Sequence, residues 1–497
     1  MSSRNNPLRE LVRLGLGGER NRIAAIFPQK KLVLSVGHLS ERIAAVRSLL
    51  EIRPRPNRMI LFLAKSPEYL EWLLTGFDLG ICVCPMDVTY GETELQQAVY
   101  LFKPDLIVSQ ASLKKSDFFE THSADGMFLH RSIEKPAAHA SIVNNAALCL
   151  FTSGTTGKPK GVLLSSENLA YSASLPALAH GITLQDRVLA VLPLTMINGL
   201  VTTVLTVLHS RSSAIYYEGL FTPYQAFRWA LEHEATWFNA VPLHYAAFCN
   251  PPLEEDDIKG HQLRFCRSAG SRLPVEVLKN FEKYYRIPII ETMGLTETAG
   301  QVFANPMDGG ARRLGSVGMP VGVEAKIMSA GGKQLPDGQE GEIWLKGENV
   351  FMGYLDDPES TSHAVEEGWL RTGDIGRRSS DGFFSVTGRI KEIVIRGGQN
   401  VSLQEVDDTL CQHAAVAVSG SIGLETDLEG EMVVSFVQPR LKARIGEKEL
   451  LAHCRERLAD FKIPSKIAIL TELPLRSNGK VDKQELRKMA RRFKDRG

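Results

Sequence analysis

The chain holds 497 residues, 43% hydrophobic and 23% charged, the make-up of an ordinary globular protein and too long for a single core. Lysine and arginine number 58 against 57 acidic residues, a net charge of +1, which argues against nucleic acid as the main partner. No apolar run reaches the roughly 18 residues of a membrane span, and MSSRNNPLRELVRLGLGGER lacks the apolar stretch of a signal peptide, so a cytoplasmic location is expected.

In HLSERIAAVRSLLE (38–51), Ile43, Val46, Leu49 and Leu50 share one helical face. MILFLA (59–64) reads as a buried strand, and YLEWLLTGFDLG as a helix ending at Gly80. ICVCP and LIVS (106–109) continue the alternation. Cys82 and Cys84 are taken as buried strand residues on opposite faces rather than a metal pair, and the seven scattered cysteines as reduced thiols. AALCLF (146–151) is a further buried strand. The pattern predicts a doubly wound α/β architecture with ligands at the carboxyl ends of strands.

Beyond it YRIPIIETMG, VEAKIM and GEIWLKG read as strands, and the text turns glycine-rich and polar from about residue 305. GFFSVTGRIKEIVIRGGQN (382–400) reads as strand, turn, strand, while LQEVDDTL, EKELLAHCRERLADF and DKQELRKMARRF are helical and charged. The expected organisation is a large N-terminal domain with a β-rich subdomain (1–387), a hinge (388–392) and a small mobile α+β C-terminal domain (393–497).

Directly after the apolar run at 146–150 comes FTSGTTGKPKG (151–161). Its glycines bring backbone N–H groups close to a ligand, its hydroxyls add donors, and Lys158 and Lys160 add charge. A polyphosphate is the guest such a loop suits. The Walker A spacing G-x-x-x-x-G-K-[ST] fails, because only two residues separate Gly154 from Gly157. The alternative is an inert strand-to-helix turn.

The string TSGTTGKPKG resembles the phosphate loop of the adenylate-forming superfamily, which includes acyl-CoA synthetases, luciferases and adenylation domains of peptide synthetases. Further segments resemble the same family in the same order: MGLTE (293–297), GWLRTGD (368–374), GRIKEIVIRGGQNVSLQEVD (388–407) and LPLRSNGKVDK (473–483). The resemblance spans roughly residues 30 to 485. It implies an acid–thiol ligase that makes an acyl-adenylate and pyrophosphate from a carboxylic acid and ATP, then passes the acyl group to CoA.

On that resemblance Thr152, Ser153, Gly154, Thr155, Thr156, Gly157 and Lys160 hold the β- and γ-phosphates. Thr296 hydrogen-bonds the α-phosphate, and Glu297 is the Mg²⁺ ligand, a hard carboxylate for a hard cation. Asp374 accepts the ribose hydroxyls, Arg389 reaches ribose or phosphate, and Gly270, Ser271 and Met293 flank the nucleotide. Lys480 is the catalytic lysine that neutralises charge in the adenylation step. Lys391 marks the hinge, and Arg396, Gly397 and Gly398 line the thiol tunnel after the small domain rotates.

Two positions depart from the family pattern. Met293 stands where an aromatic ring usually stacks on adenine, and Met196, in PLTMING, stands at a histidine position of the acyl-pocket gate. Met196, Asn198, Asn239, His244, Arg267 and Ser268 are the candidate pocket residues, with Arg267 either pairing with a second carboxylate or serving as an ion-paired strand residue. No Asp or Glu lies between Arg187 and Glu218, so an α-amino acid, whose ammonium needs a counter-charge there, is disfavoured. Two rival readings remain: an enzyme that loads the phosphopantetheine of a carrier protein, and a degenerate homologue that binds without turnover.

Overall fold

The computed structural model describes residues 6–494 apart from 52–54, 114–118, 125, 133–144, 154–158, 308–310, 397–398, 427–429, 442 and 476–479. Two large mixed sheets dominate it. Across the nine-stranded sheet the order is Met319–Pro320, Gly300–Ala304, Ile289–Leu295, Phe265–Ser268, Trp237–Ala240, Arg187–Ala190, Ser213–Tyr216, Ile23–Phe27 and Leu32–Ser35. Its six middle strands, from Ile289–Leu295 to Ile23–Phe27, are parallel. In the eight-stranded sheet, Ala146–Ser153, Cys82–Met86, Arg58–Phe62 and Leu106–Ser109 form a parallel centre flanked by antiparallel strands. The doubly wound α/β expectation is met.

Alternation along the strands divides the cores. Phe238, Cys266 and Ile289 face outward into a cluster with helices Pro223–Glu232, Pro242–Phe248 and Val275–Tyr285. Trp237, Phe265 and Ile290 face the other way, into a core shared with Leu61, Leu148 and Leu150 of the eight-stranded sheet. Helix Ser166–His180 supplies Leu169 and Ala173 to that same core. Asn239 and Arg267 lie two residues beyond Trp237 and Phe265, so both polar side chains point into an otherwise apolar layer.

Cys82 and Cys84 share one face of their strand, as residues two apart must, and join Cys149 in one buried cluster. The expectation of opposite faces is corrected by the two-residue period of the pleat.

The predicted elements otherwise appear where the sequence places them: helix Val36–Leu50, helix Pro67–Leu79 with Gly80 closing it at φ +70°, and strands Glu324–Met328 and Glu340–Lys346. The last two belong to a five-stranded antiparallel sheet with Trp369–Arg378, Val365–Glu366 and Phe384–Arg389. A 3₁₀ turn, Ile390–Glu392, then leads into Ile393–Arg396 of a separate five-stranded sheet packed with helices Leu403–Cys411, Glu447–Arg455 and Lys483–Lys494. Among the described residues no helix is long and apolar enough to cross a membrane.

Candidate active site

The strands Trp369–Arg378 and Phe384–Arg389 pair in antiparallel register, which sets Asp374 opposite Arg389. Arg389 Nε donates to Asp374 Oδ1 at 2.5 Å, and the Asp374 backbone N–H donates to Thr372 Oγ1 at 3.0 Å. Asp374 is 2% exposed, yet its second oxygen, Oδ2, has no hydrogen-bond partner. Burial raises its pKa, while Arg389 and then Lys480 draw it back down. Lys480, exposed in the loop before the last helix, therefore acts electrostatically on this carboxylate, and on Glu392 too. A buried carboxylate with one unmatched oxygen suits a ligand that brings hydroxyl donors.

A second group forms where the glycine loop begins. Thr152 Oγ1 donates to the Lys160 carbonyl at 3.4 Å across the hairpin that pairs Ala146–Ser153 with Pro159–Ser165. Lys160 Nζ lies 3.4 Å from Asp357, hydrogen-bonds Ser360 and sits 5.1 Å from the Tyr354 ring centroid. On its other side Tyr354 donates its hydroxyl proton to Glu297 Oε1 at 2.9 Å. One tyrosine thus joins the loop lysine to the carboxylate of the MGLTE segment. Thr296 and Glu297 open a 3₁₀ turn, and both remain partly exposed. A Cβ at Gly294 would overlap the Gly300 carbonyl, so glycine is required for the strand to fold back here. Gly154, Thr155, Thr156 and Gly157 lie outside the described residues, and of Ser153 only the strand position is described.

The third group is buried in the layer between the sheets. Arg267 Nη1 donates to Asn198 Oδ1 at 2.7 Å and to Asn239 Oδ1 at 2.8 Å, while Nε donates to Gln301 Oε1 at 3.0 Å. Asn198 follows Met196, which caps a short helix that runs on through a π turn at Val201–Leu205. Thr202 also donates to Asn198 Oδ1, at 3.1 Å. His180 Nε2 lies 3.2 Å from Gln301 Oε1, and burial beside Arg267 lowers its pKa to about 3. The Ser268 hydroxyl is buried without a partner. His244 makes none of these contacts. Its Nδ1 accepts the Val241 N–H at 3.4 Å, its ring meets Phe221 edge-on at 4.4 Å, and its pKa falls to about 4, mainly through burial.

Gly270 and Ser271 form an exposed turn at the carboxyl end of Phe265–Ser268, with Gly270 at φ +91°. Met293 is partly buried and packs on the main core. Arg396 donates to the Phe461 and Ile463 carbonyls at 3.4 and 2.8 Å, within the C-terminal sheet region, and Lys391 is exposed in the 3₁₀ turn. Gly397 and Gly398 lie outside the described residues. Arg272, directly after Ser271, hydrogen-bonds Asp408 of helix Leu403–Cys411, a pairing of distant segments that no local pattern announces. Tyr354, Asp357 and Gln301 were also missed as site residues, although GYLDDPEST contains the first two.

A family profile described as AMP-binding enzyme matches residues 18–355, and one for the AMP-binding enzyme C-terminal domain matches residues 405–480. The chain belongs to the family of AMP-binding enzymes. It is 41% identical over 341 residues to the sulfoacetate–CoA ligase of Cupriavidus necator, covering 68% of this chain and 66% of that protein. It is 33% identical over 435 residues to the oxalate–CoA ligase of Arabidopsis thaliana, covering 87% and 83%. ATP-bound MatB from Rhodopseudomonas palustris superposes with a TM-score of 0.83 at 25% identity, over 97% of this chain and 98% of that one. As an AMP-binding enzyme with such relatives, the protein is an ATP-dependent acid–CoA ligase.

Glu291, which pairs with Ser268 across adjacent parallel strands of this ligase, is 8% exposed and accepts the Gly315 N–H at 3.3 Å. Burial pushes its pKa up to about 7 against the pull of that N–H, Arg272 and Arg312. Between pH 4.5 and about 7 the folded carboxyl keeps a proton that the unfolded chain releases, so Glu291 makes stability fall as pH rises through this window. Glu291→Gln (E291Q) is expected to remove that loss and gain about 2–3 kcal/mol relative to wild type between pH 5 and pH 8. Urea denaturation at both pH values measures the difference, and equal gains at both would refute it.

Proposed function

We propose that the ligase activates a small carboxylic acid at the junction of these three groups. The carboxylate oxygen attacks the α-phosphorus of ATP, the bond to the bridging oxygen breaks, and pyrophosphate leaves. The CoA sulfur then attacks the acyl carbon, the C–S bond forms, the C–O bond to AMP breaks, and the thiol proton is released. The observation that carries the reading is the buried Asp374 with its unmatched oxygen, held by Arg389 within electrostatic reach of Lys480. Asp374 would take the ribose hydroxyls, Gly270, Ser271 and Met293 the base, and Thr152 and Lys160 the terminal phosphates, with Thr296 on the α-phosphate. Lys480 would offset the charge that builds as two anions meet. The 388–392 segment, with Lys391, would serve as the pivot on which Arg396 and its neighbouring glycines turn toward the thiol.

A single partly exposed carboxylate fits Mg²⁺, which binds one or two protein carboxylates and completes its shell with phosphate oxygens and water. Glu297, steadied by Tyr354, would hold it there, and when bound the ion supplies charge neutralisation on the phosphates. Pyrophosphate release with a panel of acids, with and without CoA, tests the reaction. Glu297→Gln (E297Q) is expected to raise the Mg²⁺ concentration for half-maximal rate by ~10–100-fold, with the melting temperature unchanged. An unaltered Mg²⁺ response would remove Glu297 from that role. A carrier-protein thiol in place of CoA gains no support from the relatives, and a non-catalytic role sits poorly with the presence of Lys480, Glu297 and Asp374 together.

A further inference from the structure

Among the largest fully buried side chains only Trp237 exceeds Arg267 in volume. An arginine in such a place is ordinarily matched by a carboxylate, because an unpaired buried cation is strongly unfavourable. Here, among the described residues, every acceptor on the guanidinium is a neutral amide oxygen: Asn198, Asn239 and Gln301. Nη2 makes no hydrogen bond to any of them.

The orientation of those amides follows from chemistry. Guanidinium only donates, so each amide must turn its oxygen toward Arg267 and its NH₂ away. Asn198 Nδ2, Asn239 Nδ2 and Gln301 Nε2 are accordingly buried donors without partners, and the Ser268 hydroxyl is buried and unpartnered beside them in sequence. Asn239 and Arg267 stand at the carboxyl ends of adjacent parallel strands, the edge where α/β sheets bind ligands. A cation and four unsatisfied donor groups, with no acid among them, lack one component: a guest with many acceptor lone pairs and negative charge. Burial brings the Arg267 pKa down only to about 10, so the charge remains at neutral pH.

We propose that the Arg267 cluster receives a second anionic group, a carboxylate or sulfonate, carried by the acid substrate beyond the carboxylate that is activated. The inference rests on the ligase reading and narrows its substrate class. Gly270 follows Arg267 by three positions, at most ~10 Å of extended chain, so the two acidic groups belong to a short molecule. Arginine binds either anion through parallel N–H bonds, and the amide donors supply the rest of the shell. A neutral tail would leave all these groups unmatched, the situation in which polar sites discriminate most strongly.

The test compares acids matched in length: malonate and sulfoacetate against propionate, and succinate against butyrate and monomethyl succinate. Pyrophosphate release is followed with ATP, Mg²⁺ and CoA for wild type, Arg267→Met (R267M) and Arg267→Lys (R267K). Wild type is expected to favour the doubly anionic member of each pair by at least ~100-fold in kcat/KM. R267M should bring the pairs within about threefold while the KM for ATP stays unchanged, and R267K should restore part of the preference. The malonate and sulfoacetate arms tell which anion is taken. Equal or better turnover of the neutral-tailed acids by wild type overturns the proposal. So does an R267M variant that lowers both members of a pair alike.

Should no acid turn over, the ligase reading fails separately, and calorimetric titration of malonate and sulfoacetate in the presence of a non-hydrolysable ATP analogue still decides. Binding lost in R267M supports the anion site. Binding retained in R267M, or absent from wild type, overturns it. Because the variant removes an unpaired buried cation, its melting temperature should match or exceed that of wild type, which separates a ligand-binding arginine from a structural one.

Discussion

Replacing Lys480 by alanine is expected to slow acid-dependent pyrophosphate release by about 100–1,000-fold, the usual cost of removing one charge-stabilising donor from a transition state. The lysine is exposed and far along the chain, yet its charge acts on the buried Asp374. Its stabilising effect is greatest when carboxylate and triphosphate approach, so the loss should fall on kcat, with little change in the KM for ATP. Supplied with a preformed acyl-adenylate and CoA, Lys480→Ala (K480A) should still make thioester within about threefold of wild type, because no second anion then has to be brought in. Equal damage to both half-reactions would make Lys480 a structural residue of the C-terminal domain. Its exposure predicts an unchanged melting temperature.

The second large effect belongs to Asp374. Asp374→Asn (D374N) keeps the shape of the side chain but removes its charge, and a hydrogen bond to a charged group is worth about 1.5–3 kcal/mol. The KM for ATP should therefore rise by ~10–100-fold while kcat at saturating ATP changes little. The partner is identified by deleting ribose hydroxyls. Wild type should lose affinity for 2′-deoxy-ATP or 3′-deoxy-ATP, whereas D374N should bind ATP and the deoxy analogues alike. If the penalties simply add, Asp374 does not hold the ribose. The change should not destabilise the fold, since burial already disfavours the charged form of this residue.

Much of this could be read from the sequence because it was local. Strands such as Ala146–Ser153 and helices such as Pro67–Leu79 carry their own apolar runs and caps, and the glycine loop and MGLTE segment are contiguous strings. The Lys160–Tyr354–Glu297 arrangement was not legible, because it joins three segments through a fold-back at Gly294 and a turn near residue 354. Gln301 was equally hidden, sitting in the run GQVFA, which reads as core. The edge hairpin Phe119–Ala124 with Met127–Ser132 escaped notice because FETHSA has no apolar alternation. For Arg267 the sequence left two roles open, and only the roster of its partners, all amides, shows that it is not ion-paired within the described chain.

The buried cysteines bear on a hazard peculiar to this chemistry. An acyl-adenylate is an activated mixed anhydride, and a thiolate is the nucleophile that captures such a species most readily. Cys149 lies three residues before Thr152 in the hairpin that leads into the glycine loop, and Cys266 is next to Arg267. Its hydrogen bond with Cys84 and then burial raise Cys149 well above the ordinary cysteine range, burial does the same for Cys266, and it pushes the half-buried Cys249 and Cys411 up to about 11 and about 12. Cys149 and Cys266, held as thiols and buried away from solvent, compete poorly with the incoming CoA sulfur, so their placement guards the enzyme against acylating itself there.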